Sequence, residues 1–414
     1  MSAPVQSEHP HGLSVNLPAL PSFIRYYDDF SDVQRVIAQP EETDTWRLEF
    51  DGRVRCIDFS CFEVCVRDVA KNWTAFNLAR FAPSTALLYV EALAWLPASS
   101  VVRLLSCSPE KARSLWNSLR AEGLERHEFR SIKSFLYYLC ALSIGAWKPC
   151  WTDMLSRLRI PGVDRYAAVR AGNVFLSADE EAAIVRSLDD FASQALEGSA
   201  LYDCLELGAV LVCSFQFGMR SKQIAMLRFR DIRTWQDGLE PTPAVHLTFR
   251  MIKQRYSQKA LPLVRRVKRE WCPIFVSLLK NKKGVEPDRR VFPYTPNEIT
   301  RLVADFTERL GGIRRTPGDL RHTRTQRLVD AGATQEEVAA FMGHTNLDTL
   351  LVYFRESAAQ AELVNRALGD RSRSLCDERR VSAPQGRSAG RRRAAWNPHH
   401  RYWRMLSRPK DLSL

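Results

Sequence analysis

From residue 66 to about 150, apolar positions fall at helical spacing. The stretch "HEFRSIKSFLYYLCALSIGAW" places Phe135, Leu136, Leu139 and Leu142 on one face. "STALLYVEALAWL" predicts a second helix, with Ser84 as its candidate cap. "SPEKARSLWNSLRAEGL" predicts a third, opening at Ser-Pro-Glu and closing near Gly123. Ahead of these, residues 1 to 65 begin polar. They then place apolar residues around an Asp-Gly pair in "WRLEFDGRVRCIDF", the local signature of a β-hairpin. Behind them lies "RLRIPGVDRYAAVRAG", a basic stretch broken by Pro and Gly that reads as an interdomain linker.

Beyond the linker the pattern is mixed. "SADEEAAIVRSL" is a capped helix, and "YDCLELGAVLVCSFQFGMRSKQIAMLRF" reads as two helices broken at Gly218. "AVHLTFRMIKQRYSQKALPLV" reads as strand, turn, strand, and four further helical patterns follow. The predicted class is α+β and mostly helical, with no internal repeat. Its parts are an N-terminal arm with a β-hairpin (1–65), a helical domain (66–155), a linker (156–174), a mixed α/β domain with a small antiparallel sheet (175–370), and a basic tail (371–414).

Composition narrows the class. With 414 residues and 45% hydrophobic positions, the chain can build two or three domains with real cores. No apolar run approaches the roughly 18 to 20 residues of a membrane span. The best candidate, Leu207 to Met219, is shorter and reads as a buried helix. "MSAPVQSEHPHG" lacks the basic-then-apolar layout of a signal peptide, so the expected location is the cytoplasm, associated with the nucleoid. The ten cysteines include no CxxC. Cys56, Cys61 and Cys65 cluster in a segment that reads as strand, without a histidine pair or fourth ligand, and are expected to be reduced thiols rather than a zinc site.

Sixty Lys and Arg against 47 Asp and Glu leave a formal charge of +13. That favours a polyanionic partner, either nucleic acid or an acidic membrane surface. Much of the excess sits in residues 371–414, where twelve basic residues face three acidic ones. Such a tail either contacts polyanions without reading sequence or is a solvated extension with no role.

The stretch "FMGHTNLDTLLVYF" places Tyr353 nine residues after His344. Alone, a tyrosine at that spacing packs into a core. It belongs, however, to an ordered set: "FGMRSKQIAMLRFRDI" with Arg220, "FRMIKQRYSQKALPL" with Lys253, "TPGDLRHTRTQRLVDAG" with Arg321, then His344 and Tyr353. Together these stretches, over about 195 residues, resemble the catalytic domain of the tyrosine recombinases, also called the phage integrase family. More loosely, the helical segment before them resembles that family's core-binding domain.

The resemblance implies strand cleavage and rejoining on double-stranded DNA through a 3′-phosphotyrosyl link. Tyr353 is then the nucleophile, and the retained bond energy removes any need for ATP. Arg220 and Arg321 clamp the non-bridging oxygens, His344 hydrogen-bonds the phosphate, and Lys253 protonates the leaving 5′ oxygen. Lys259 is the rival for that last role, because hairpin turns vary in length. Thr334 to Glu337 form a T-x-x-E capping box, and Gly343 suits a left-handed helix stop, so His344 sits just past a helix end. The resemblance also implies no metal or cofactor, a homotetramer on two synapsed sites, and accessory DNA-bending or directionality proteins as further partners.

Two positions depart from the family pattern. Gly318 stands where the family usually carries a histidine three residues before the arginine, and Gln223 stands where an acidic residue is common. His322, beside Arg321, reads as packing in the family, yet it is the one nearby histidine able to replace what Gly318 lacks. Two alternatives stay open: a type IB topoisomerase-like relaxing enzyme with the same chemistry, and a catalytically silent DNA-binding protein of the same fold.

Overall fold

The computed structural model describes residues 5–7, 15–162, 164, 166–236, 238, 242–252, 262–281, 284–344, 346–354 and 365–366. Lys253, Lys259, Tyr256 and the basic tail 371–414 lie outside the described residues. The chain divides into two compact units: residues 1–167 with 293–296, and 168–292 with 297–414.

The first unit opens with three two-stranded antiparallel ribbons. They pair β1 (Val5–Ser7) with β2 (Val15–Leu17), β3 (Phe23–Asp28) with β4 (Val33–Ala38), and β5 (Thr45–Phe50) with β6 (Arg53–Asp58). The expected Asp-Gly hairpin is the third. Phe50 pairs with Arg53, and Asp51 and Gly52 both take positive φ, the twist that matches two right-handed strands. Alternation along β5 buries Trp46, Leu48 and Phe50.

Six helices follow: α1 (Val64–Leu78), α2 (Pro83–Ala94), α3 (Ala98–Ser106), α4 (Ala112–Ala121), α5 (Arg126–Leu142) and α6 (Thr152–Arg157). Ser84 is not a cap. Pro83 takes the first helical position after Ala82, where its missing N–H costs nothing, and Ser84 lies inside the first turn. Phe135, Leu136 and Leu139 of α5 are buried, and they share one apolar core with Trp46, Phe59 and Trp73. Cys56, Cys61 and Cys65 do not share a strand. They fall on β6, a 3-10 turn and α1 in succession, because Asp58 caps the turn and ends the strand.

After α7 (Ala167–Arg170), the second unit comprises α8 (Ala178–Glu197), α9 (Tyr202–Leu211) and α10 (Ser221–Ala225). A sheet ordered β7 (Ile232–Trp235), β8 (Ala244–Arg250), β9 (Pro262–Arg266) follows. The remaining helices are α11 (Cys272–Lys280), α12 (Pro296–Gly311), α13 (Pro317–Asp330), α14 (Gln335–Met342) and α15 (Leu351–Phe354). The expected strand-turn-strand is β8 and β9, antiparallel from His246–Arg266 to Arg250–Pro262. The Leu207 to Met219 run is buried as the end of α9 and a π-helical turn over Val212–Gln216. Among the described residues, no single helix is long and apolar enough to cross a membrane. The described chain is mainly helical with small antiparallel sheets.

Candidate active site

Four of the five catalytic positions expected from sequence converge in the second unit; the fifth, Lys253, lies outside the described residues. The convergence begins with the break after α9. There the π turn ends and Gly218 takes φ +61, which turns the chain back before α10. A glycine suits this position. A Cβ at Gly218 would lie 2.8 Å from the Met342 methyl and 3.4 Å from the Arg321 Cα, and the left-handed backbone itself disfavours a side chain. This close approach lets the Gly218 carbonyl reach the next functional residue.

Arg321 lies on the second turn of α13, and several contacts fix that helix. Thr316 caps it, with its hydroxyl accepting from Asp319 N at 3.3 Å while the Asp319 carboxylate accepts from Thr316 N at 2.8 Å. Arg315, just before the cap, makes a bidentate pair with Glu180 at 2.7 and 3.0 Å. Thr323 Oγ1 accepts from Leu176 N at 2.9 Å. So held, Arg321 is only 8% exposed. Its Nη1 donates to the Gly218 carbonyl and its Nη2 to the Met342 carbonyl, both at 2.6 Å. Burial, and then the like charge of Arg220, push its pKa down to about 9, which still leaves it cationic at neutral pH.

Arg220 is the residue before α10, and burial lowers its pKa. Gln223 braces it. The Gln223 Oε1 accepts from Arg220 N at 3.2 Å, and its Nε2 donates to the Arg250 carbonyl at 2.9 Å, tying α10 to the end of β8. A carboxylate there would accept the first bond and be unable to donate the second. The uncharged amide therefore suits this buried position, where Gln223 is 1% exposed.

α14 has the expected capping box. Thr334 Oγ1 accepts from Glu337 N at 3.2 Å, and Glu337 accepts from Thr334 N at 2.9 Å. Its end is Gly343 at φ +66, where a Cβ would meet a Leu263 methyl at 2.7 Å. The chain then delivers His344, whose backbone N–H closes the helix on Ala339 O at 2.9 Å. The Thr349 hydroxyl donates to Asn346 O at 2.9 Å, and it lies 3.4 Å from His344 Nδ1. Burial, then Arg321, Arg220 and His322, press the His344 pKa down to about 3, so the imidazole is neutral at physiological pH.

Tyr353, on α15, is 5% exposed. Its hydroxyl makes a short hydrogen bond with His322 Nδ1, and a phenolate there would lie within the field of Arg321. The two rings lie 6.0 Å apart at 29°. His322 does more than pack, because its ring nitrogen meets the candidate nucleophile. Burial is the largest cause lowering its pKa, opposed by Asp319 and aided by Arg321. A neutral imidazole with a bare Nδ1 is a proton acceptor for a phenol.

Gly318 occupies the second position of α13, and it is not among the left-handed glycines. A Cβ there would lie 3.2 Å from Thr316 Oγ1, the cap hydroxyl, which would have to give by a few tenths of an ångström. One cation escaped the sequence reading. Arg265 on β9 donates to the Ala340 carbonyl at 3.0 Å, sits 4.6 Å over the Phe341 ring, and contributes to the positive potential at Arg321. Arg220, Arg265 and Arg321, with neutral imidazoles beside a phenol, make a positive environment that favours an anion.

No family model matches the chain, and no curated relative does. Several solved structures resemble it. A XerA recombinase shares 16% identity, covering 72% of this chain and 98% of that one, at a TM-score of 0.34. The Tn1549 transposon integrase in complex with transposon right end DNA shares 17%, covering 73% and 99%, at 0.42. XerH site-specific recombinase bound to its palindromic difH substrate shares 16%, covering 72% and 82%, at 0.46. At these identities and scores the likeness is distant.

Proposed function

We propose that this chain is a site-specific DNA recombinase of the tyrosine recombinase type, cutting and rejoining duplex DNA through a 3′-phosphotyrosyl intermediate. The observation that carries the reading is the Tyr353 hydroxyl held on His322 Nδ1 within the field of Arg321. A core tyrosine needs one hydrogen-bond partner. It does not need a buried arginine and a depressed-pKa histidine as its neighbours.

In this reading a backbone phosphate enters between Arg220 and Arg321, whose guanidiniums stabilise the charge that builds on the non-bridging oxygens. Arg321 already commits two N–H groups to carbonyls and has three left of its five. As Tyr353 attacks phosphorus, His322 takes the phenol proton. The 5′ oxygen leaves with a proton from Lys253 or Lys259, and the DNA 3′ phosphate stays on the tyrosine. Phosphate brings negative charge next to His344 and so raises its pKa, letting it donate to a non-bridging oxygen. Four protomers would synapse two sites to exchange strands for integration or excision of a mobile element.

A second reading has one observation behind it. Arg321 is nearly enclosed and bonded to two backbone carbonyls, as a purely structural arginine would be, which fits a silent DNA-binding protein of the same fold. A nicked suicide substrate separates the two. Loss of the short fragment after cleavage traps the adduct, which migrates as a protein–DNA band and maps to one tyrosine peptide. Failure to form any adduct on the element's own ends would establish the silent reading.

A further inference from the structure

Within the first unit, α1, α2 and α5 surround an open cleft of about 400 Å³. Its walls are aromatic: Phe81 and Tyr89 meet edge to face at 6.0 Å, and Tyr89 stacks on Trp73. Cations line it as well. Arg80 lies 3.8 Å over the Phe76 ring, and Lys133 donates to the carbonyls of Ser156 and Leu158. Two polar side chains line the floor: Asn77, 1% exposed, and Tyr138, 2% exposed.

Both floor groups lack a protein partner. Neither the Asn77 amide nitrogen, nor its oxygen, nor the Tyr138 hydroxyl makes a hydrogen bond to any described group. Burial pushes the Tyr138 pKa up, so it stays a neutral O–H. An orphaned amide and an orphaned hydroxyl lining one aromatic-walled cleft destabilise the empty unit. A leucine and a phenylalanine would pack there without that cost, so the polar atoms point to a ligand that pairs with them.

We infer that this cleft binds a nucleotide. The Asn77 amide offers one donor edge and one acceptor edge, which matches the paired donor and acceptor on a base. Phe81 and Tyr89 supply faces for the ring. Arg80 and Lys133 line the same cleft and supply positive charge for a phosphate, and the volume suits a base with its sugar. The floor atoms are buried in the unliganded unit, so binding must shift side chains of the cleft, whose Arg80 and Phe81 are exposed. The nucleotide is either free or an unstacked base of a DNA strand, since both present the same chemistry. This inference does not depend on Tyr353 or on any strand cleavage.

The test uses the full chain. Calorimetric titration with the four 2′-deoxynucleoside 5′-monophosphates should show saturable binding of at least one. Inorganic phosphate should bind at least tenfold more weakly. Phe81→Ala, at an exposed position, should weaken the nucleotide by roughly five- to a hundredfold through lost stacking. Asn77→Leu should abolish saturation while raising the melting temperature, a pairing that a purely structural asparagine would not show. A single strand carrying 2-aminopurine distinguishes the sources. Fluorescence quenching that Asn77→Leu abolishes assigns the base to a strand, whereas binding of mononucleotides alone assigns it to the free pool. The inference is overturned if neither probe binds, if both variants bind as the wild type does, or if phosphate binds as tightly as the nucleotides. A lowered melting temperature in Asn77→Leu with binding retained overturns it too. Should Asn77→Leu not fold, Phe81→Ala decides.

Discussion

Replacing His322 by alanine tests the proposed chemistry at its least familiar point. His322 Nδ1 is bonded to the Tyr353 hydroxyl, and burial holds the imidazole below its ordinary pKa of 6.5. It is therefore in its base form at pH 7. A positioned general base contributes about 10²- to 10⁴-fold, so His322→Ala should slow adduct formation by that factor. At about 1.4 kcal/mol per decade, this is roughly 3 to 5 kcal/mol of transition-state stabilisation. The arginines and Tyr353 remain, so cleavage should slow rather than stop.

The assay is single-turnover trapping on a nicked suicide substrate, with DNA affinity measured in parallel. Two controls separate a base from a mere spacer. The wild-type rate should fall as pH drops through the depressed His322 pKa, because the protonated ring cannot accept. The variant should lose that acid limb. A substrate whose leaving 5′ oxygen is replaced by sulfur needs no protonation of the leaving group. It should rescue a variant lacking the acid and leave His322→Ala slow. A His322→Ala enzyme that forms adduct within about threefold of wild type, folded and DNA-bound, refutes the assignment and returns His322 to packing.

Tyr353→Phe removes one oxygen and should abolish the adduct with DNA affinity held within a few-fold. Mapping of the DNA to another tyrosine, such as Tyr256, would sink the nucleophile assignment. Gly318→His should fold, since its backbone is not left-handed, and should preserve or raise the cleavage rate; dead but folded protein would break the family analogy at that position. Arg315→Met removes the bidentate clamp on Glu180, in which both side chains are 14% exposed. It should cost about 2 kcal/mol, between exposed and buried pairs, read as a lower melting temperature. Because Arg315 lowers the Glu180 pKa, the clamp's stabilisation should be lost as pH falls through that depressed value, and a pH-independent Arg315→Met effect would refute it. Truncation after Asp370 should flatten the slope of log affinity against log salt, by about 0.9 for each phosphate the tail neutralises, with site preference unchanged; an unaltered slope gives the tail another role.

Local chemistry made much of this legible. Asp-Gly between apolar runs signalled the β5–β6 hairpin, and the S-x-x-E, T-x-x-D and T-x-x-E boxes open α8, α13 and α14. Gly218 and Gly343 each sit where φ is positive and a Cβ would crowd a neighbouring side chain. The misses are of another kind. The β3–β4 ribbon turns at Asp32, a non-glycine residue at φ +61, so no Asn-Gly or Asp-Gly marked it. The π turn after α9 sits in a run that is apolar on every side, which gives no periodicity to break. Arg265 lies on an alternating strand, where nothing local sets it apart from a solvent-facing cation. Its bonds to Ala340 and Phe341 join it to a helix end 75 residues away, which no local pattern encodes. The core that joins Trp46 to Trp73 and Phe135 is likewise long-range.

The missing histidine and the one in contact with Tyr353 are related by the helix itself. Gly318 and His322 are four residues apart on α13, so the two positions lie on one face, just over a turn and about 6 Å apart along the axis. An imidazole at either position projects from the same side. A tyrosine one turn farther along that face meets His322 in place of a side chain at 318, and α15 brings Tyr353 there. With no side chain at Gly318, α13 still presents an imidazole toward the proposed nucleophile, displaced along the helix. If His322 is the base, Gly318→His with His322→Ala should recover little of the lost rate, because the new ring stands a turn away from Tyr353. Full recovery in that double variant would show that the site accepts its base from either turn, and that proximity to the Tyr353 hydroxyl in this structure does not decide which histidine acts.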